Sequence, residues 1–429
     1  MKYIVAEVFL LKKVSIRGNA TLEGKIAIHG SKNAVLPILS ASILSDDICT
    51  LFNCPKISDV INTIDILNYI GHDTIFQNNV LTIFNNNKFE GIIPDNYIRK
   101  MRSSILFMGA MLNKYGYVKI TLPGGCELGA RPIDLHLKAF EKLGVKIKEY
   151  YGFYECMCEN IIGDDVYLDF PSVGATENIM LLACRCIGKT TIHNAAKEPE
   201  IVDLQNFMNS MGADIRGCGT DTIEIFGVKK LKGTSYTIMP DRIVAATYLI
   251  AAAITNSEIE ITNTRYEDLI SVISVLNRCG FQVSQNHNKI KIYKNKQIKA
   301  VDLIRTMPYP GFPTDIQSII TPLLSIADGI SIITENLFEN RFKHICELNR
   351  MGADINIMER NAVIRGVNKL YGTNVTATDL RGAAGLIVAG LCADGTTVID
   401  GIEYLERGYE NLIENLRKLG AEISYTSVV

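Results

Sequence analysis

This 429-residue sequence lacks any apolar stretch long enough to cross a bilayer: runs such as Gly382–Ala393 fall well short of the roughly 20 residues a spanning helix needs. It also lacks a dominant charge. Lys and Arg number 44 against 46 Asp and Glu, a formal net charge of −2, which offers no basic field for a polyanion and argues against nucleic acid. A leader is not evident. Residues Met1–Lys13 hold a short apolar run broken by Glu7 and closed by two lysines, with no small-residue cleavage pattern, so the expectation is a cytoplasmic protein. The eleven cysteines include no CxxC pair. Cys156 and Cys158, like Cys184 and Cys186, stand two apart, and the odd total in a leaderless chain points to reduced thiols, with no disulfide framework. The six histidines are scattered, and no metal site is expected.

What the sequence does contain is a repeat. An amphipathic helix ending in glycine and followed by a short apolar strand recurs six times, with the glycines at 71, 144, 212, 280, 352 and 420, spaced 73, 68, 68, 72 and 68 apart. Each glycine stands where a helix needs its left-handed C-terminal residue. A second helix belongs to each unit, at Asn33–Leu44, Arg102–Leu112, Thr176–Cys186, Asp241–Ile254, Asp315–Ala327 and Leu380–Ala393. These helices are apolar almost all round and are expected inside. An open solenoid would leave its helix rows solvated, so the buried helices favour closure into two lobes of three units, each about 200 residues, an ordinary domain size.

One segment is not explained by packing. Pro123-Gly-Gly-Cys-Glu-Leu-Gly-Ala-Arg-Pro-Ile-Asp-Leu-His136 places Cys126 on a glycine-rich loop near Arg131, a setting that favours thiolate over thiol. Most of the other ten cysteines, which sit among aliphatic residues, suit a core. The inner helices begin at Lys32-Asn33, Arg102, Thr176-Glu177, Asp241-Arg242, Asp315 and Arg381. Helix N-termini attract anions, whereas cations there are dipole-unfavourable, so Lys32, Arg102 and Arg381, joined by Arg407, argue for a bound anion pinched between the lobes. Simple capping or solvation is the competing reading for each. Asp315 follows Pro310-Gly-Phe-Pro-Thr and reads equally as an N-cap or as a carboxylate that takes a proton from a hydroxyl.

Several motifs in order complete the picture: Gly30-Ser-Lys-Asn-Ala-Val-Leu-Pro-Ile-Leu, the Cys126 loop, Pro171-Ser-Val-Gly-Ala-Thr-Glu-Asn, Ala196-Lys-Glu-Pro-Glu-Ile-Val-Asp, Pro240-Asp-Arg, Gly311-Phe-Pro-Thr-Asp, Thr334-Glu-Asn-Leu-Phe-Glu-Asn-Arg-Phe, Asp379-Leu-Arg and Arg407-Gly-Tyr-Glu. From about residue 14 to the C-terminus the sequence resembles the UDP-N-acetylglucosamine 1-carboxyvinyltransferases, within the enolpyruvyl transferase or EPSP synthase family. The resemblance implies an inside-out α/β barrel, two lobes each of three repeated helix–strand units with buried parallel helices. Chain crossings would put 1–31 with 241–429 in one lobe and 32–240 in the other.

It further implies transfer of the enolpyruvyl group of phosphoenolpyruvate to the 3'-hydroxyl of UDP-N-acetylglucosamine with release of phosphate. This is the first committed step of peptidoglycan synthesis, by addition and elimination through a tetrahedral intermediate, with no metal or organic cofactor. Cys126 resembles the acid that protonates the methylene carbon, on a loop that closes over substrate, and Asp315 the group that takes a proton from the 3'-hydroxyl or the methyl. Lys32, Arg131 and Arg407 match phosphate binders, with Lys32 and Arg407 in the catalytic set, Arg381 a carboxylate partner, and Asn33 a hydrogen-bonding partner of sugar or intermediate. Arg102 matches a nucleotide-sugar contact; Arg131, Pro132, Ile133, Asp134 and Leu135 a uracil cradle; Ser172, Val173, Gly174 and Leu337 the diphosphate or sugar side. Cys126 also implies alkylation by the epoxide fosfomycin. Two departures stand out: Phe170 replaces a lysine that some members carry near the diphosphate, and the residues before Val14 extend past the usual start. Of the alternatives, the shikimate-pathway transferase lacks the Gly-Gly-Cys loop, a silent paralogue needs a broken site where Lys32, Cys126, Arg131, Asp315 and Arg407 are all present, and a repeat scaffold leaves the helix-start cations unexplained.

Overall fold

The computed structural model describes residues 12–85, 93–98, 101–121 and 133–427, so Cys126, Arg131 and Pro132 lie outside the described residues, as does the N-terminal extension up to residue 11. The repeat is carried by its glycines. Gly71, Gly144, Gly212, Gly280, Gly352 and Gly420 have φ between 92° and 109°, a region in which a Cβ is strained. In every copy the next residue's N–H reaches back five residues to the last helical turn, as in His72 to Leu67 at 2.9 Å and Ala421 to Leu416 at 3.0 Å. Six Schellman-type caps thus end six outer helices.

The inner helices are Lys32–Ser42 (α1), Leu106–Tyr115 (α2), Val173–Ala183 (α3), Arg242–Ile254 (α4), Thr314–Ser325 (α5) and Leu380–Cys392 (α6). All thirteen residues of α4 are buried, as its sequence without a polar face requires. Two starts differ from the periodicity. Arg102–Ile105 is a 3-10 turn ahead of α2, and α3 begins three residues before Thr176 because Ser172 caps it, its Oγ accepting the Ala175 N–H at 3.3 Å.

The third unit shows the common topology: strand Asp165–Tyr167, α3, strand Lys189–His193, outer helix Pro199–Ser210, then strands Asp214–Arg216 and Thr222–Phe226. The strands on either side of the inner helix pair in parallel, and the last two add antiparallel. Two first strands are exchanged: Glu23–Ala27 precedes α1 yet pairs with Glu258–Thr262, while Ser235–Thr237 precedes α4 yet pairs with Cys49–Phe52. The N-terminal strand Lys12–Arg17 completes the last unit between Thr396–Asp400 and Ile423–Ser427. Among the described residues the strands form six separate sheets, five of four strands and one of three, and no sheet closes into a barrel.

The chain divides into two compact units, one of residues up to Ile28, Arg242–Met307 and from Phe312 on, the other of His29–Asp241 with Pro308–Gly311. Each has its own apolar core. In the His29–Asp241 unit α1, α2 and α3 pack on one another, and in the other unit α4, α5 and α6 do. Each fully buried Leu or Ile contributes about 1.5–3 kcal/mol by leaving water. Close packing has a backbone cause too: a Cβ on Gly385 would stand 2.3 Å from the Ser318 carbonyl oxygen, so α6 meets α5 only with glycine there.

Candidate active site

Within the His29–Asp241 unit, Lys32 opens α1 with its side chain only 11% exposed and its Nζ 2.6 Å from Asp59 Oδ2. Its backbone N–H donates to Asp241 Oδ2 at 3.0 Å, so a carboxylate from the far end of the unit meets a helix-start N–H group that Ser31 does not cap. Asn33 follows half-buried. Thr63, one turn after Asp59, bonds the Asp59 carbonyl at 2.8 Å and lies 3.7 Å from Met101 Sδ, which sets the Arg102 turn beside the Asp59 helix.

Arg102, half-buried, acts electrostatically on His136, which lies on the outer helix Asp134–Lys142 one turn after Ile133. Burial first and the Arg102 charge second push the His136 imidazole down to about 4, so the ring is neutral at physiological pH. Asn178, on α3, lies 3.0 Å from His136 Nδ1. The imidazole also faces Gly174, in the first turn of α3. Thus Arg102, Ile133–Leu135 and Ser172–Gly174 are drawn into one neighbourhood by His136 and Asn178. Phe170, 48% exposed, flanks it through its carbonyl, which accepts the Ser172 N–H at 2.7 Å. On α3 beyond, Glu177 is buried, and burial with Glu200 and Glu198 nearby holds its carboxyl well above the usual range.

In the other unit Asp315 is a hub. Its two oxygens accept from Arg341 Nη2 at 2.7 Å and Arg381 Nη2 at 3.0 Å, and the two arginine side chains are 2% and 4% exposed. Asp315 is not the N-cap residue of α5: Pro313 holds that position, and Asp315 lies inside the first turn. Asp379 caps α6 through Arg381 N–H and Gly382 N–H at 3.0 and 3.1 Å. The Arg381 guanidinium carbon lies 5.6 Å from the Tyr409 ring centroid, and Tyr409 hydroxyl meets Thr247 of α4 at 2.9 Å, so all three inner helices of the unit join the cluster. Glu335, 1% exposed, accepts the Thr314 hydroxyl at 2.9 Å and the Leu337 N–H at 2.9 Å, fixing Leu337. Arg407 stands half-buried two residues before Tyr409.

The expectation that helix-start cations require a bound anion changes here. Lys32 has Asp59 and Arg381 has Asp315, so the fold itself supplies carboxylates that offset the unfavourable dipole. Several contributors went unassigned in the sequence. Asp241, Glu335, Arg341 and His136 sit inside quoted motifs and Asn178 ends one, but Asp59 belongs to none and was not marked by any local pattern. Among the described residues no group of three or more His, Cys, Asp or Glu side chains is placed to hold a metal ion, and no helix is long and apolar enough to cross a membrane.

Residues 16–416 match the family described as EPSP synthase (3-phosphoshikimate 1-carboxyvinyltransferase). The chain belongs to the EPSP synthase family. Within that family its full-length relatives carry a different name. The UDP-N-acetylglucosamine 1-carboxyvinyltransferase 2 of Caldanaerobacter subterraneus subsp. tengcongensis is 52% identical over 411 residues, 96% of this chain and 99% of that protein. The UDP-N-acetylglucosamine 1-carboxyvinyltransferase 1 of Carboxydothermus hydrogenoformans is 48% identical over 413 residues, 96% and 98% of the two chains. Among solved structures the enolpyruvyl transferase NikO from Streptomyces tendae has a TM-score of 0.89 at 22% identity, covering 97% of this chain and 99% of that one. EPSP synthase from Acinetobacter baumannii has a TM-score of 0.77 at 20% identity, covering 97% and 100%. At those identities the likeness establishes the family fold.

Proposed function

We propose that this chain is a transferase that moves the enolpyruvyl group of phosphoenolpyruvate to the 3'-hydroxyl of UDP-N-acetylglucosamine and releases phosphate, a cytoplasmic step of peptidoglycan precursor synthesis. The observation that carries this reading is relatedness over nearly the whole chain, at 52% and 48% identity, to proteins of that name. The two polar clusters support it. A sugar hydroxyl needs a proton acceptor as its oxygen bonds to the enolpyruvyl C2, and Asp315, its orientation fixed by Arg341 and Arg381, is a carboxylate suited to that task. Cys126 would protonate the C3 methylene, and elimination would return a methyl proton to a base as the C–O bond to phosphate breaks. Lys32, Arg131 and Arg407 are assigned to the phosphate, Arg381 to the carboxylate of phosphoenolpyruvate, and Asn33 to the sugar or the tetrahedral intermediate. Arg102, the Arg131–Leu135 segment, Ser172–Gly174 and Leu337 are assigned to the nucleotide sugar. Cations at the departing phosphate typically supply several kcal/mol of transition-state stabilisation.

Phosphate release should require phosphoenolpyruvate and UDP-N-acetylglucosamine together, measured by a coupled phosphate assay. Release with 3-phosphoshikimate as the acceptor instead would overturn the reading. Cys126→Ala should abolish turnover while calorimetry still detects UDP-N-acetylglucosamine binding. Fosfomycin should leave a mass adduct on the Cys126 peptide of the parent protein, and an unmodified thiol after inactivation would contradict the assignment of Cys126.

A further inference from the structure

Arg381 meets partners of two kinds within its own unit. Asp379 Oδ1 accepts its backbone N–H at 3.0 Å, and Asp315 Oδ2 accepts from its Nη2 at 3.0 Å. Both of those are carboxylates. The Tyr409 ring, whose centroid stands 5.6 Å from the guanidinium carbon, is different in kind, because an aromatic face attracts a cation through its quadrupole and adds no negative charge. An arginine that is to hold an anion gains orientation from such a face without being neutralised by it. Arg381 is 3% exposed, so water competes little for the contact.

The ring is itself fixed. Thr247 Oγ1 donates its single hydrogen to the Ile243 carbonyl at 2.8 Å, one turn back in α4, so in its 2.9 Å contact with Tyr409 the phenol is the donor. Tyr409 is 4% exposed, with its hydroxyl on α4 and its face toward Arg381 of α6. Its backbone holds a further element. The Tyr409 N–H donates to the Leu405 carbonyl at 3.0 Å and the Gly408 N–H to the same oxygen at 3.1 Å, closing the 3-10 turn Ile402–Arg407 that ends in Arg407. One residue thus ties the turn bearing Arg407 to the helices bearing Thr247 and Arg381.

We propose that Tyr409 is a positioning residue for phosphoenolpyruvate: its face, anchored by Thr247, sets the Arg381 guanidinium for the substrate carboxylate, and its backbone holds the turn that presents Arg407 to the phosphate. This rests on the assignment of those two arginines to phosphoenolpyruvate. Tyr409 transfers no proton; it acts through the arginines. A guanidinium already ordered loses less side-chain freedom when the anion arrives, so substitution at Tyr409 acts on affinity for phosphoenolpyruvate more than on the chemical step.

Steady-state kinetics and ligand-free crystal structures of the full-length protein test it. With UDP-N-acetylglucosamine saturating, Tyr409→Leu should raise the KM for phosphoenolpyruvate about tenfold, the loss of a desolvated cation–π contact. Tyr409→Phe keeps the face and should stay within about threefold of the parent, while the KM for UDP-N-acetylglucosamine hardly moves in either variant. Thr247→Val removes the same hydrogen bond from its other end, so combining it with Tyr409→Phe should be no worse than either change alone. Parent-like KM for phosphoenolpyruvate in Tyr409→Leu, an equal rise for both substrates, or no recovery in Tyr409→Phe overturns the positioning role. In the crystals the Arg381 guanidinium should keep one place in the parent and in Tyr409→Phe and leave it in Tyr409→Leu; an unmoved guanidinium in Tyr409→Leu overturns the contact. If the parent shows no turnover with the two substrates, the substrate reading falls and the role toward phosphoenolpyruvate with it, while the crystal structures still decide whether Tyr409 orders Arg381.

Discussion

Asp315→Ala is expected to lose phosphate release and to destabilise the fold by about 3 kcal/mol, the low end of the 3–5 kcal/mol typical for removing one partner of a buried ion pair. The reason is the geometry of the hub. One carboxylate serves two guanidinium groups whose side chains are 2% and 4% exposed, at 2.7 and 3.0 Å. Removing it leaves two neighbouring buried cations without the anion that both face, and burial of charge with no counter-ion is costly. The low end is appropriate because the Asp315 side chain is 27% exposed, so water replaces part of what is lost. Asp315→Asn separates the roles. The amide still accepts a hydrogen bond, so unfolding in denaturant should show a smaller loss, whereas turnover should be as low as in the alanine variant. An alanine variant as stable as the parent would show that the hub does not hold the fold, and an active Asn variant would remove Asp315 from the proton-accepting role.

Stability should fall steeply as pH drops from 7 to 5. His72, His136 and His344 are each held down to about 4, in every case chiefly by burial. Between the folded value near 4 and the ordinary value of 6.5, the unfolded chain binds protons that the folded chain does not. Each histidine therefore contributes stability that is intact above about pH 6.5 and is lost as pH falls toward 4. For a shift of that size the linkage gives about 2 kcal/mol per histidine between pH 7 and 5. Glu177 acts in the opposite sense, since its raised folded value favours the protonated form and relieves strain on acidification. One such group against three leaves a net loss. Urea unfolding at pH 7, 6 and 5 would measure it, with His72→Gln and His344→Gln each expected to flatten the slope; a midpoint constant across that range would contradict three buried neutral histidines.

Sequence periodicity was informative wherever the cause of structure is local. The six glycines needed no tertiary information, since a helix end that must turn left-handed admits few other residues, and all six adopt φ near 90–110°. The inner helices were equally legible, because a helix without a polar face has no stable position at a surface. Two strands were not. Glu23–Ala27 and Ser235–Thr237 pair with partners over 180 residues away, and nothing in their short sequences distinguishes an exchanged strand from a sequential one.

The site divides the same way. Lys32, Arg102, Asp315 and Arg381 were visible as polar residues at the starts of apolar helices, and Ser172–Gly174 only through the family resemblance. What each of them faces was not: the same Asp315 fitted a cap or a base until Arg341 and Arg381 were found on its two oxygens. Asp59 carried no signal because its importance lies wholly in standing 2.6 Å from Lys32 across two helices. The amino-acid sequence by itself determined the repeat, the apolar interior and the family, which depend on residue type and spacing along the chain. The tertiary structure alone decided which charges face one another, Lys32 with Asp59 and Arg381 with Asp315, because that depends on distances between residues that the chain keeps far apart.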